Sequence, residues 1–375
     1  MVYHCCPTGL LDGGVGTYVN SLLESKMPGV SEKIINRIDN IDLHEFKLLH
    51  IHDPILLQDW RGECPAIFSL HNHAVYCPSG TKYLSARSVT CSRQMSHLGC
   101  LWGHFVDGCG SRRPENVMRG LSWSFSFLEI LKKRKIPVIA YSNYVRNQLI
   151  EHGLPQQQVT KLYYGIRLPQ AHGVTTAPLT QEIHTRRRIL FAGRIVPDKG
   201  LEWLLKALAK TDSSIQLDIA GDGWDKPRLE NLAHQMGLTN RIIWHGWCNG
   251  EKLEKLYNQC FAVIFPSVWH EPAGLITLEA YARYRPIIAS AVGGIPEHVR
   301  KETGILVESN NIDQLAGAIN DLSQDYQKSR ALGERGHALL MEEFTLLIHT
   351  QRLQQIYDQK ISNNQSYFVK ANVLI

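Results

Sequence analysis

The sequence predicts an α/β protein built from two parallel-sheet domains. Three observations carry that prediction. Short apolar runs of strand length alternate with segments of helical period through most of the 375 residues, the pattern of strands joined by crossover helices. The runs close on polar residues or glycine, as parallel strands do where they deliver side chains to a ligand. Between residues 169 and 185 the apolar period stops in a tract rich in Pro, Thr, Gln and His. That tract reads as a linker, and the chain is long enough for a core on either side of it.

In the first half, Asp12-Gly13-Gly14-Val15-Gly16-Thr17-Tyr18 lies between an initial strand and a helix beginning near Val15. Strands follow at 47–52, 66–71 and 138–142. The second half restarts with a strand at 188–193 and continues with strands at 215–221, 242–245, 261–265 and 286–290. Helices are expected between them at 201–210, 226–236 and 251–259, and one long amphipathic helix at roughly 338–360. Five strands with crossovers would complete a Rossmann-like unit.

Composition narrows the class. Hydrophobic residues make up 44% and charged residues 20%, the balance of a soluble globular chain, and no apolar run reaches the length of a membrane span. Met1-Val2-Tyr3-His4-Cys5-Cys6 lacks the basic region and apolar core of a signal peptide. A cytoplasmic location is expected, with peripheral contact at the inner face of the plasma membrane as an extension. The basis for that extension is charge: residues 82–146 hold 11 Lys/Arg against 3 Asp/Glu. Lys132-Lys133-Arg134-Lys135 reads either as a solvated helix end or as part of a surface for anionic lipid. No recognition motif accompanies the charge, so nucleic acid is not expected.

The richest stretch is His270-Glu271-Pro272-Ala273-Gly274-Leu275-Ile276-Thr277-Leu278-Glu279. It follows an apolar strand and runs into a helix, which places the amides of Ala273, Gly274 and Leu275 at a helix N-terminus suited to a phosphate. One carboxylate precedes that anion site and the other lies about two turns inside the helix. Gly193-Arg194-Ile195-Val196-Pro197-Asp198-Lys199-Gly200 offers two cations at the end of another strand, fit to neutralise a diphosphate. Gly221-Asp222-Gly223 follows the next strand as a tight turn. The first glycine loop lacks GxGxxG and so is not a dinucleotide fingerprint.

Arg194…Lys199, Gly221-Asp222-Gly223, Glu271…Glu279 and Val292-Gly293-Gly294-Ile295-Pro296-Glu297 together resemble the family 4 retaining glycosyltransferases of bacterial polysaccharide biosynthesis. The resemblance covers about 188–307 and reaches the first half through Gly13-Gly14-Val15-Gly16, His50-Ile51-His52-Asp53-Pro54 and His71-Asn72. It implies a GT-B fold, two Rossmann-like domains facing across a cleft. The N-terminal, acceptor-side domain would span 1–168 with the tail from about 345 to 375 packed on it, and the nucleotide-sugar domain 186–344. Arg194 and Lys199 would stabilise the departing diphosphate, and Glu271 would lie beside the donor sugar. Gly193, Ala273, Gly274 and Leu275 would contact phosphate and sugar, and Glu279 the ribose. Gly14 and Gly16 would face the phosphates, and His71 would touch the sugar.

The implied reaction is transfer of a hexose, with UDP-glucose the favoured donor, to a saccharide or lipid-linked acceptor. Retention of configuration is implied by the family alone. No cofactor or metal is expected, because the chain has no Asp-x-Asp motif. A sugar-nucleotide epimerase on the same fold and a non-catalytic nucleotide-sugar-binding protein are the alternatives. The sequence departs from the family at Ala273, where an aromatic is usual, and at Tyr284, where glycine is usual.

Two patterns stand outside this reading. His50-x-His52 and His71-x-His73 each place two imidazoles on one strand face and invite a metal-dependent barrel hydrolase. Of nine cysteines, Cys64, Cys77, Cys91, Cys100 and Cys109 lie close together. They read as reduced thiols, with a zinc site at Cys77, Cys91, Cys100 and Cys109 as the competing reading. The segment 74–135, with Tyr76, Tyr83, Trp102, Phe105, Trp123 and Phe125, is the expected source of acceptor specificity.

Overall fold

The computed structural model describes residues 1–7, 14–38, 47–61, 64–169 and 176–372, with side chains as far as 362. The chain divides into two compact units. The N-terminal unit comprises Met1–Lys82, Ser92–Arg167 and Thr345–Ile375, and the C-terminal unit Tyr83–Cys91 and Leu168–Phe344. Gly13 of the first glycine loop lies outside the described residues.

In the N-terminal unit the chain forms β1 (Val2–Cys5), α1 (Gly14–Ser25), β2 (Glu32–Ile35), β3 (Leu48–Ile51) and β4 (Ala66–Leu70). A hairpin of β5 (Tyr83–Leu84) and β6 (Val89–Thr90) then departs to the other unit. The chain returns with α2 (His97–Phe105), α3 (Pro114–Arg134), β7 (Val138–Ala140), α4 (Asn143–Glu151) and β8 (Val159–Lys161). The sheet order is β2-β1-β3-β4-β7-β8, every pair parallel. Leu48, Leu49, Ile51, Ile67, Phe68, Val138 and Ile139 are buried because helices cover both faces, which is why these strands read as unbroken apolar runs.

The C-terminal unit holds α5 (Gln181–Thr185), β9 (Arg188–Ala192), α6 (Leu201–Leu208), β10 (Gln216–Ala220), α7 (Lys226–Gln235), β11 (Ile242–Gly246), α8 (Gly250–Gln259) and β12 (Ala262–Phe265). It continues through α9 (Leu275–Ala282), β13 (Ile287–Ser290), α10 (Ile295–His298), β14 (Gly304–Val307), α11 (Ile312–Gln324) and α12 (Tyr326–Glu343). Its parallel sheet runs β11-β10-β9-β12-β13-β14. The order reverses between β9 and β12, and ligands of such sheets bind beyond the strand ends at that point. Both strands end in the motifs singled out in the sequence.

The expected helix at 338–360 is two helices, α12 and α13 (Leu346–Asn372). The break has a packing cause. Phe344 is buried against His298, whereas Thr345 bridges to Ile166 and the Leu346 amide donates to the Ile166 carbonyl. From there α13 lies on the N-terminal unit: Gln354 donates to the Pro28 carbonyl at 2.8 Å, and His349 and Tyr357 reach Tyr18 and His50.

Candidate active site

The loops after β9, β12 and β13 of the C-terminal unit meet at Glu271, and the loop after β10 packs against the first of them. After β9 the chain passes Gly193 into the short turn Pro197–Lys199, which Gly200 ends at φ +71°. A Cβ at Gly200 would stand 1.8 Å from the Pro266 carbonyl oxygen, so this turn and the loop after β12 meet backbone to backbone. The contact is bonded, since the Asp198 carbonyl accepts from the amides of Val268 and Trp269 at 3.0 and 3.2 Å. Gly221 performs the same service one loop away, where a Cβ would come within 1.8 Å of the Gly193 oxygen. Gly221-Asp222-Gly223 is thus explained by close packing under the β9 loop.

The stapling sets Lys199 Nζ 2.5 Å from Glu271 Oε1 and 4.3 Å from the centre of the Trp269 ring. Ser267 Oγ donates to the same carboxylate oxygen at 3.0 Å, and the Gly294 amide donates to the Glu271 carbonyl at 2.7 Å. The pair is nearly sequestered, the Lys199 side chain being 15% exposed and that of Glu271 10%. Arg194 is exposed at the end of β9 and acts with Lys199 on Asp198, whose carboxyl is nonetheless raised above its usual range by burial.

Gly274, at φ +71°, is the N-cap of α9 and contributes no side-chain cap. The first amides of that helix therefore lack the hydroxyl or carboxylate partner that most helix starts carry. Ala273 is buried beside them, and Leu275 is half-buried. On the next turns of α9, Glu279 Oε2 accepts from the Tyr257 hydroxyl at 2.8 Å. Arg283 donates to the Glu279 carbonyl at 2.8 Å, lies over the Tyr257 ring and is held by Glu254. Burial raises the Glu279 carboxyl above the ordinary range, against the pull of Arg283 and Tyr257.

The structure thus joins Lys199 to Glu271, with Arg194 on the same loop as Lys199. It keeps Glu279 apart on α9 in a bonding set of its own. Ser267, Trp269, Tyr257 and Arg283 belong to this constellation and escaped the sequence reading. A signal existed for Ser267, which follows β12 and Pro266 directly, but none for Tyr257, which arrives from α8. Tyr284, one of the two departures, occupies left-handed backbone at φ +55° and stacks on His337 of α12, ring centres 3.7 Å apart. Glycine would be the unstrained residue there.

In the N-terminal unit, Gly14 and Gly16 open α1, and a Cβ at Gly14 would meet nothing within 4 Å. His71, just past β4, has both ring nitrogens engaged, one with His52 at 3.0 Å and the other with the Tyr164 hydroxyl. Burial pushes its pKa down to about 3, so the ring is neutral. The His71-x-His73 pair is parted, because His73 turns to the Tyr76 hydroxyl at 2.6 Å, whereas the rings of His50 and His52 stay together with centres 4.1 Å apart. Among the described residues, one group could converge on a metal, His4 with His50 and His52. The cysteines form none. Cys77 and Cys109 meet at Ser79, 3.2 and 3.1 Å from its oxygen, whereas Cys91 belongs to the C-terminal unit.

These two doubly wound units define the protein class: the fold is GT-B. The solved structure of Anabaena HepE in complex with UDP and glucose superposes with a TM-score of 0.70 at 16% identity, covering 96% of this chain and 99% of that one. Sucrose-phosphate synthase from Thermosynechococcus elongatus does so with a TM-score of 0.70 at 20% identity and the same coverages. Residues 179–338, within the C-terminal unit, match the family described as glycosyl transferases group 1. An uncharacterized glycosyltransferase of Methanocaldococcus jannaschii, MJ1607, is 34% identical over 46% of this chain and 46% of its own length. The α-D-kanosaminyltransferase of Streptomyces kanamyceticus is 28% identical over 54% of this chain and 55% of its own. The chain therefore matches about half the length of these curated relatives.

Proposed function

We propose that the protein is a glycosyltransferase that moves a hexose from a nucleoside diphosphate sugar to a saccharide or lipid-linked saccharide. UDP-glucose is the favoured donor, and extracellular or envelope polysaccharide synthesis the favoured setting. The observation that carries this reading is the Lys199–Glu271 pair at the β9/β12 switch point, beside the uncapped start of α9. Departure of a diphosphate needs fixed positive charge where negative charge develops. Lys199, Arg194 and the α9 amides supply it without a metal or cofactor. Glu279 is spaced to hold ribose hydroxyls while Glu271 stands beside the sugar. That HepE has been solved with UDP-glucose, and with UDP and glucose, supports the donor class.

The acceptor side is assigned to the N-terminal unit. Leu98, Trp102 and Phe105 are exposed at helical spacing along one face of α2, and Met118 and Trp123 are exposed on the neighbouring α3. Arg119 lies over the Trp123 ring, and α3 ends in Lys132, Lys133 and Arg134. Apolar and aromatic tips among cations suit the surface of an anionic bilayer at the inner face of the plasma membrane. Among the described residues, no helix is long and apolar enough to cross a membrane. Trp102→Ser with Lys132, Lys133 and Lys135 changed to Glu should abolish sedimentation with phosphatidylglycerol vesicles; undiminished sedimentation would remove the membrane from the proposal.

The deciding experiment for the reaction is a panel of UDP-, GDP- and ADP-sugars scored for nucleotide release, with Lys199→Ala as control. Release that the substitution abolishes is expected. Sugar-nucleotide isomers without free nucleotide would point to an epimerase, and tight binding without product to a binding protein.

A further inference from the structure

One histidine from each His-x-His pair, His52 and His71, is joined with His4 into a hydrogen-bonded chain across the N-terminal sheet. The adjoining strands β2, β1, β3 and β4 each supply one member: Glu32 and His4 from within β2 and β1, His52 and His71 from just past β3 and β4. Glu32 Oε1 lies 2.8 Å from His4 Nε2, and His4 Nδ1 lies 3.0 Å from His52 Nε2. His52 Nδ1 lies 3.0 Å from His71 Nε2, and His71 Nδ1 meets the Tyr164 hydroxyl. The rings follow edge to edge: His4 and His52 are tilted by 16° with centres 5.2 Å apart, His52 and His71 by 29° with centres 5.3 Å apart.

Proton bookkeeping gives this chain one direction. A carboxylate only accepts, so His4 carries a proton on Nε2, and in the neutral ring Nδ1 is then bare. His52 must then donate from Nε2 and accept at Nδ1, and His71 likewise. At the far end a phenol is the better donor and an imidazole nitrogen the better acceptor, so Tyr164 donates to His71 Nδ1. Both ends demand the same polarity with every imidazole neutral, and no ring nitrogen of the three is left unsatisfied. Burial and the neighbouring imidazoles hold His52 far below its ordinary pKa, consistent with that assignment. A metal at His4, His50 and His52 would have to break this chain. It would also have to take a nitrogen of His50 from the Tyr357 hydroxyl at 2.6 Å or from Ser69 at 2.7 Å.

We propose that Glu32, His4 and His52 are positioning residues that fix His71 as its Nε2–H tautomer, so that Nδ1 is an acceptor held for a hydroxyl. Tyr164 supplies that hydroxyl in the ligand-free protein and a saccharide supplies it when bound, an assignment that rests on the glycosyl-transfer reading. His71 is half-buried, whereas His4 and His52 are buried. It stands past the end of β4, next to β3 and the order reversal between β1 and β3. A neutral ring offering a lone pair accepts from a hydroxyl and repels phosphate oxygens.

The test is nitrogen NMR of the full chain labelled at histidine. Wild type should show His71 protonated at Nε2 and bare at Nδ1. Glu32→Ala should mix the tautomers, whereas Glu32→Gln, whose amide oxygen still accepts from His4, should restore the wild-type pattern; circular dichroism confirms that both variants are folded. In the transferase assay Glu32→Ala should lose roughly tenfold to a hundredfold in kcat, by analogy with the outer partners of metal-ligating histidines, and Glu32→Gln should recover most of it. A His71 protonated at Nδ1, a tautomer unmoved in Glu32→Ala, or stoichiometric metal bound at His4, His50 and His52 would overturn the proposal. The predicted tautomers in a protein without transferase activity would leave the chain standing and remove the glycosyl-transfer reading.

Discussion

Lys199 cannot serve a diphosphate at full strength while it is paired with Glu271, and that competition can be measured. At 2.5 Å and an effective dielectric near 20, the Coulomb attraction is about 6–7 kcal/mol. Most of this is offset by the desolvation of two charges that are nearly out of water. A net coupling of roughly 1–2 kcal/mol is taken to remain, above the ~0.2–1 kcal/mol of exposed pairs because this one is nearly buried. Glu271→Gln removes the competing charge and preserves the shape and the Ser267 contact. UDP alone should then bind roughly five- to thirtyfold more tightly by calorimetry. Transfer should nevertheless fall if Glu271 stands beside the sugar as proposed. Lys199→Ala should weaken UDP and cost roughly 10²–10³ in kcat. Weaker UDP binding to Glu271→Gln would refute the claim that the two groups compete, and with it the placement of the diphosphate at Lys199.

Three further outcomes follow from the geometry. Glu279 has a folded-state pKa raised by burial, so the folded protein holds that proton more tightly than the unfolded chain, and stability falls as pH rises through the window between the two values. Glu279→Gln should therefore raise Tm at neutral pH, with a gain that shrinks on acidification, while weakening nucleotide binding; a lower Tm at pH 7 would contradict the sign. Tyr284→Gly should be more stable than Tyr284→Ala by about 1 kcal/mol in urea unfolding, since both lose the His337 stack but only glycine relieves the left-handed backbone. Gly14→Ala has room for its Cβ at the start of α1 and should keep or gain up to about 1 kcal/mol of stability. Its affinity for the nucleotide sugar should fall; unchanged affinity would show that Gly14 faces no ligand.

Much of the fold was legible because the chemistry is local. The apolar runs at β9, β10, β12 and β13 are buried on both faces, so their composition alone marks them as strands. The segments that escaped, β2, β8 and β14, lie at sheet edges. A strand covered on one side needs fewer apolar residues, and Glu32-Lys33-Ile34-Ile35 and Val159-Thr160-Lys161 show it. The departure of the 83–91 hairpin to the C-terminal unit had no local signal either, because what holds it there is distant: Asn310 of that unit donates to the Ser88 carbonyl.

By itself, the sequence determined which residues stand at the ends of β9 and β12, because strand, loop and helix start are written in consecutive residues. Arg194, Lys199 and the amides after Pro272 could therefore be read as a candidate anion site, with Glu271 just ahead of it. Only the tertiary structure decided how those groups are used before a ligand arrives. Lys199 is neutralised by a carboxylate 72 positions away, and Glu279 is desolvated and bonded to a tyrosine from another helix. The histidines make the point most sharply. In sequence, His50-x-His52 and His71-x-His73 are pairs, because alternate strand residues share a face. In the sheet, partners are set by strand order, and His52 finds His4 and His71 on its neighbours. Hydrogen bonding across a sheet depends on which strands adjoin, and a residue's near neighbours in the chain do not encode that.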